Sequence, residues 1–204
     1  MSSAVQSEIV SLRRGRAINT RNAVTAALCG VVPAAIFAAQ SLPSAAMWAA
    51  GLVIGFLWAN GFEYALHRWP LHWPGTWTGD GHMLHHASLG RPEEPLYVNL
   101  AGRPLFVIGM FVLNIWPFAL ADYYLRLNLV PGVLISFAVY FIVTEEIHWR
   151  FHMGGWLPRW LDAARARHMR HHDVPSTDFA IFWPLFDVLL RTTAPRPPTV
   201  RMNP

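Results

Sequence analysis

From Asn22 to Phe62 the chain runs for 41 residues without an Asp, Glu, Lys, Arg or His. A helix crossing the hydrocarbon layer of a bilayer needs about 20 apolar residues, so this stretch predicts two spans folded back at Ser41-Leu42-Pro43-Ser44. A cleaved signal peptide does not fit the first half: the apolar run is too long, and no charged or flexible mature terminus follows it. The composition agrees with a membrane setting, with 53% of residues hydrophobic and 14% charged.

A second apolar pair lies between Pro104 and Thr144, interrupted by Asp122 and Arg126 and by the turn sequence Asn128-Leu129-Val130-Pro131-Gly132. It divides into spans over roughly Pro104–Ala121 and Leu129–Thr144, the latter open to continuing through the histidines beyond it. Four spans put both chain ends on one side. The chain contains no Lys, and of its 16 basic residues, all Arg, only Arg126 falls in an outward-facing segment. Arg13, Arg14, Arg16 and Arg21 precede the first span, Arg68, Arg91 and Arg103 lie between the second and third, and the rest follow the fourth. Basic loops stay cytoplasmic, so both termini are expected there. The formal charge of +4 then reflects topology and anionic headgroups, and no nucleic-acid recognition motif is present. Residues 1–21 read as a mobile cytoplasmic N-terminus and residues 193–204 as a Pro/Arg-rich tail.

The single cysteine, Cys29, lies in the first span, which excludes an intramolecular disulfide and a thiolate metal site. The ten histidines all fall in tight groups: His67 with His72; His82 with His85 and His86; His148 with His152; His168 with His171 and His172. A lone histidine in an apolar chain is more often a hydrogen-bonded core residue than a ligand. Ten packed together without a cation would bury many unpaired ring nitrogens, and imidazole suits iron, zinc and copper. Spacings of i, i+3 and i+4 place each triplet, and His148 with His152, on one helix face. Pro70 falls between His67 and His72, so the helix is expected to end or kink there. Each half of the chain runs two spans, a histidine pair and an H-x-x-H-H triplet, HRWPLH with HMLHH and HWRFH with HMRHH, which suggests two metal ions. The expected architecture is all-α: four transmembrane helices and a cytoplasmic histidine-rich helical cap holding a dimetal site.

In this order and spacing the groups resemble the fatty acid hydroxylase and sterol desaturase superfamily of integral-membrane dimetal oxygenases, over about Glu63 to Thr192. The resemblance implies a membrane domain over residues 22–192. It also implies that His67, His72, His82, His85, His86, His148, His152, His168, His171 and His172 each occupy a family ligand position. Spacing within the groups is most similar to the fatty acid 2-hydroxylase branch, which hydroxylates lipid acyl chains. Relatives usually carry Asn-Phe-Gly after the last triplet, then Trp-Asp and Gly-Thr. Here those places read Asp178-Phe179-Ala180, Phe186-Asp187 and Arg191-Thr192, a departure expected to bear on the substrate entrance. Eukaryotic hydroxylases often carry a fused haem domain, and the residues before Arg21 are too few for one. Electrons are therefore expected from a separate b-type cytochrome or ferredoxin-like protein.

Breaking an unactivated C–H bond takes dioxygen, two electrons and a redox metal, so two iron ions with O2 as co-substrate are expected; zinc cannot do this chemistry, although purified material commonly exchanges metals. Glu63 precedes His67 by four residues and Glu145 precedes His148 by three. Each is placed either to accept the far ring N–H of a ligand or to act as an interfacial charge paired with Arg, and Asp173 beside His172 has the same alternatives. Trp69, Trp73, Trp77, Trp149, Trp156 and Trp160 are expected to form an interfacial belt. The expected function is O2-dependent hydroxylation of a membrane lipid, with sterol or acyl-lipid desaturation as the alternative at the same site. A non-redox zinc protein requires a general base or polar spans, and a scaffold with a structural metal does not need ten ligands.

Overall fold

In a computed structural model describing residues 3–100 and 102–195, the chain is all-helical. Four long helices are apolar enough to cross a membrane: α1 (Ser3–Ser41), α2 (Ala45–Arg68), α4 (Pro104–Leu125) and α5 (Val130–Met153). Short helices α3 (Trp77–Ala87) and α6 (Asp162–Asp173) follow α2 and α5, and α7 (Leu185–Leu189) closes the fold. The first hairpin breaks where the sequence predicts, with Ser44 capping α2 by accepting a hydrogen bond from the Met47 amide. The fourth span does continue through His148 and His152.

α5 is the central helix, with most of its length buried, whereas α1, α2 and α4 turn most of theirs outward. Lipid tails are as apolar as leucine, so spans associate through close backbone packing. Small residues every fourth position supply it: Gly51, Gly55 and Ala59 on α2, and Ala26, Gly30 and Ala34 on α1. A Cβ on Gly51 would lie 2.5 Å from the Leu129 carbonyl oxygen, and one on Gly132 would lie 2.7 Å from that of Trp48. Gly51→Val is therefore expected to lower stability by about 1–3 kcal/mol, read as a reduced melting temperature in detergent, and an unchanged melting temperature would show that α2 and α5 are not packed this closely.

The N-terminal expectation needs correction. Residues 3–21, expected to be mobile, instead continue α1, which at 39 residues is about 58 Å long and outreaches a hydrocarbon layer of about 30 Å. This extension packs against the histidine-bearing end of the bundle. Arg16 reaches Glu146 at 2.5 Å, Arg21 donates to the Gly102 carbonyl at 2.7 Å, and Ser11, Asn19 and Asn22 are buried. Trp149 is likewise no member of a belt: it is buried with the Arg16 guanidinium over its ring, while Trp69, Trp73, Trp77, Trp156 and Trp160 are exposed. Within the tail expectation, residues 196–204 lie outside the described residues, as do residues 1 and 2.

Candidate metal centre

All four histidine groups gather at one end of the bundle, where α2 and α5 finish and α3 and α6 lie across them. His67 is on the last turn of α2, and His72 follows the helix end beyond Pro70, as the proline predicts. His148 and His152 are on the last turns of α5, and the triplets occupy α3 and α6.

Nine of the ten rings form two groups able to hold an ion: His67, His72, His82, His86 and His171 in one, and His85, His148, His152 and His168 in the other. The groups do not follow the halves of the chain. On α3, His82 and His86 serve the first group while His85 crosses to the second; on α6, His168 serves the second group while His171 crosses to the first. The middle histidine of each triplet is thus exchanged. His172 stands between the groups, its ring centroid 4.4 Å from that of His86 and its Nε2 3.3 Å from His168 Nε2.

The far ring nitrogens establish which atoms face inward. His67 Nδ1 donates to the Phe179 carbonyl, His171 Nδ1 to the Thr177 carbonyl at 2.6 Å, and His152 Nδ1 to the Glu94 carboxylate at 2.8 Å. These partners only accept, so Nδ1 carries the proton and Nε2 presents a lone pair. The Nε2 atoms then converge: His67 on His82 at 3.0 Å, His72 on His171 at 3.1 Å, His82 on His86 at 3.0 Å, and His168 on His148 at 3.0 Å and on His152 at 2.8 Å. Both ring nitrogens of buried His85 lack a protein partner among the described residues. A single ring proton cannot satisfy every nitrogen that meets at His168 Nε2 or at His82 Nε2, and a cation held between them would. The donor set fits a pair of metal ions.

Burial, and after it the neighbouring imidazoles, holds His82, His85 and His168 well below the ordinary histidine range and pushes His86 down to about 3 and His172 to about 2. These rings stay neutral at physiological pH, the form that binds metal.

The carboxylates act differently from their sequence spacing. Glu63 does not bond His67: it accepts from the Tyr140 hydroxyl and from the Ile181 amide at 2.9 Å. Glu145 does not bond His148: it accepts from the Leu100 amide at 2.9 Å and from Asn22 at 3.4 Å. Asp173 is exposed and makes no hydrogen bond to His172 among the described residues. The carboxylate that does orient a ring is Glu94, buried in a 3-10 turn (Glu94–Leu96) and 58 positions from His152. Pairing with Arg falls to Glu146, which binds Arg16 and Arg150.

The segments Asp178-Phe179-Ala180, Phe186-Asp187 and Arg191-Thr192 pack together beside the histidines, with the Phe179 ring against His67 and His171. Asp187 is fully buried and accepts from the amides of Phe179 (2.9 Å) and Ala180 (2.7 Å) and from Thr192 Oγ1 (2.7 Å). It thereby fixes the loop whose carbonyls at Thr177 and Phe179 hold His171 and His67. Asp178 and Arg191 take positive φ near 55°, a region asparagine, aspartate and glycine enter most readily. Asp187→Ala leaves two buried amides unpaired and is expected to cut metal retention by about 10–100-fold, measured as bound metal after dialysis; full retention would show that the loop does not orient His67 and His171.

Beneath the histidines a narrow cavity descends between α2, α4 and α5. His67, His82, His85 and His148 line its head, and Phe62, Leu66, Met110, Phe137 and Phe141 line its shaft. Phe62, Leu66 and Met110 also wall a groove on the outer surface between α2 and α4, floored by Leu105, Phe106 and Leu113.

The fold and site define an integral membrane protein with clustered histidines able to hold metal at one end of the bundle. The fatty acid hydroxylase family model matches residues 52–192, and the chain belongs to that family. Comparison with curated proteins and with solved structures found no match. Family membership carries a membrane lipid hydroxylase or desaturase type of role.

Proposed function

We propose that the protein is a di-iron, O2-dependent hydroxylase of membrane lipids, acting on an acyl chain. The observation that carries this reading is the pair of converging imidazole groups at the head of an apolar cavity whose wall residues also face the bilayer. Two nitrogens about 2.1 Å from a common ion and at right angles stand about 3.0 Å apart, against about 3.4 Å in a tetrahedron. The converging Nε2 pairs at 2.8–3.3 Å lie in the range of both separations and so fit nitrogens that share an ion, while the choice of iron rests on the redox chemistry the reaction requires.

Two iron ions would supply dioxygen activation, for a reaction in which a C–H bond, O2, two electrons and two protons become an alcohol and water. The chain's own residues do the rest. Phe62, Leu66 and Met110 form a thin apolar partition between bilayer and cavity, and Phe137 and Phe141 exclude water from the chain-binding shaft. Glu94, Thr177 and Phe179 hold the inward rings in one tautomer. Glu63 and Glu145 have both carboxylate oxygens engaged, which leaves neither free as the general base a hydrolytic zinc site requires. Electrons reach the site from a separate b-type cytochrome or ferredoxin-like protein, and the arginine asymmetry orients the histidine end to the cytoplasm.

Lipid analysis of cells expressing the chain tests the reading. A hydroxylated lipid should accumulate with the wild-type protein and be missing with His171→Ala; identical lipid profiles for the two would contradict it.

A further inference from the structure

A glycine inside a helix weakens it relative to alanine, so a buried one marks a place where a side chain has no room. Gly15 is such a residue, in the extension of α1 that reaches beyond the bilayer. A Cβ on it would run into the Pro95 carbonyl oxygen, lie 2.7 Å from the Pro95 carbonyl carbon and lie 3.0 Å from Trp149 Cη2. The helix therefore rests directly on the turn Glu94–Leu96 and on the last turns of α5, and both carry residues of the metal centre.

Hydrogen bonds tie this contact on both sides. Asn99, just beyond the turn, donates from Nδ2 to the Gly15 carbonyl at 3.0 Å. Further along α1, Arg16 binds Glu146 and Asn19 Nδ2 donates to the Glu145 carbonyl at 3.4 Å. Ser11, Gly15 and Asn19 recur every fourth residue, so one buried face of α1 meets the turn and α5 together. Glu94 in turn bridges the two elements, its carboxylate taking His152 Nδ1 at 2.8 Å and the Gly90 amide at 2.7 Å. Gly15 precedes residues 52–192, which match the family, so this support comes from outside the matched span.

We propose that the extension of α1 is a strap that positions one metal group: Gly15 lets it press on the Glu94–Leu96 turn, and the turn holds the Glu94 carboxylate against His152. Gly15 is thus a positioning residue for the group formed by His85, His148, His152 and His168, and it acts through Glu94. This rests on the reading that the histidine groups hold metal. A methyl group at Gly15 forces α1 away from the Pro95 backbone, shifts the neighbouring Glu94 and loosens its hold on the His152 ring. The other group keeps its supports, since His67 and His171 are held by the Phe179 and Thr177 carbonyls.

Anaerobic titration of the purified full chain in detergent with ferrous iron, against a competing chelator, tests the strap. Gly15→Ala should weaken one of the two bound ions about tenfold and leave the other unchanged, although alanine is the better helix former. Asn99→Ala, which loosens the strap without adding bulk, should weaken the same ion about threefold, and it carries the test if Gly15→Ala does not fold. Neither substitution should cost further affinity in a Glu94→Ala background, because the strap acts through that carboxylate. Wild-type affinity for both ions in Asn99→Ala and in folded Gly15→Ala overturns the proposal. Equal weakening of both ions also overturns it, as does a loss that adds in full to that of Glu94→Ala, since either would make the contact one of general packing. A wild-type chain that takes up no iron would sink the metal reading and the strap with it, whereas two-ion binding indifferent to the variants sinks the strap alone.

Discussion

Replacing His168 by alanine is expected to remove about half of the bound metal and all turnover while leaving the protein in the membrane. His168 is 1% exposed, and its Nε2 is the meeting point of its group, 2.8 Å from His152 Nε2, 3.0 Å from His148 Nε2 and 3.3 Å from His172 Nε2. No other ring faces three others through the same atom among the described contacts. The spans pack through α1, α2 and α5 on small residues that His168 does not touch, so insertion and helicity should survive. Exchange of the middle histidines sharpens the expectation. His85→Ala should behave as a lesion of the His148 group although it lies in the first half of the chain, and His171→Ala as a lesion of the His67 group. Metal analysis per mole of protein decides it, and a full complement of metal in His168→Ala would contradict the assignment.

Glu94→Ala is expected to lower metal affinity and turnover by about 10–100-fold, with Glu94→Gln falling between it and the wild-type protein. The carboxylate holds His152 Nδ1 at 2.8 Å with one oxygen and accepts the Gly90 amide at 2.7 Å with the other, so it ties the turn after α3 to the end of α5. Glutamine keeps an acceptor for the ring but loses the negative charge beside the ring N–H. Removing the carboxylate frees the His152 ring to rotate and leaves the Gly90 amide without its partner. Metal titration of the three proteins reads the effect, and equal affinities would show that His152 is held by packing alone.

Much of this architecture was legible along the chain because it is local. A charge-free run long enough for two spans, with Pro43 and Ser44 in the middle, admits one hairpin, and i, i+3, i+4 histidines on helices share a face whatever surrounds them. The four-residue stripes of Gly and Ala on α1 and α2 also lie in the sequence, but their packing role shows only once α5 is in place against them. What spacing could not reveal is which opposing element a ring meets. The crossing of His85 and His171 depends on how α3 and α6 lie against α2 and α5, a tertiary relation with no periodic trace. Glu63 and Glu145 sit one turn before a histidine and still bond elsewhere, because Tyr140, Ile181 and Leu100 arrive from distant segments to claim them. Glu94 escaped notice for the converse reason, being close to His152 only in space. The long helical N-terminus was misread because charge and polarity were taken to mean mobility, whereas Arg16, Asn19 and Asn22 use that polarity to pack against Glu145 and Glu146.

The central claim is that the paired histidine groups direct oxygen from O2 into a lipid C–H bond. Turnover of the iron-loaded protein with an electron donor under isotopically labelled dioxygen tests it most directly. The account predicts one labelled oxygen atom in the hydroxyl group of the product lipid, and its loss in His168→Ala. An alkene product without label would replace hydroxylation by desaturation at the same site, and an iron-loaded protein that consumes no oxygen with any membrane lipid would contradict the account outright.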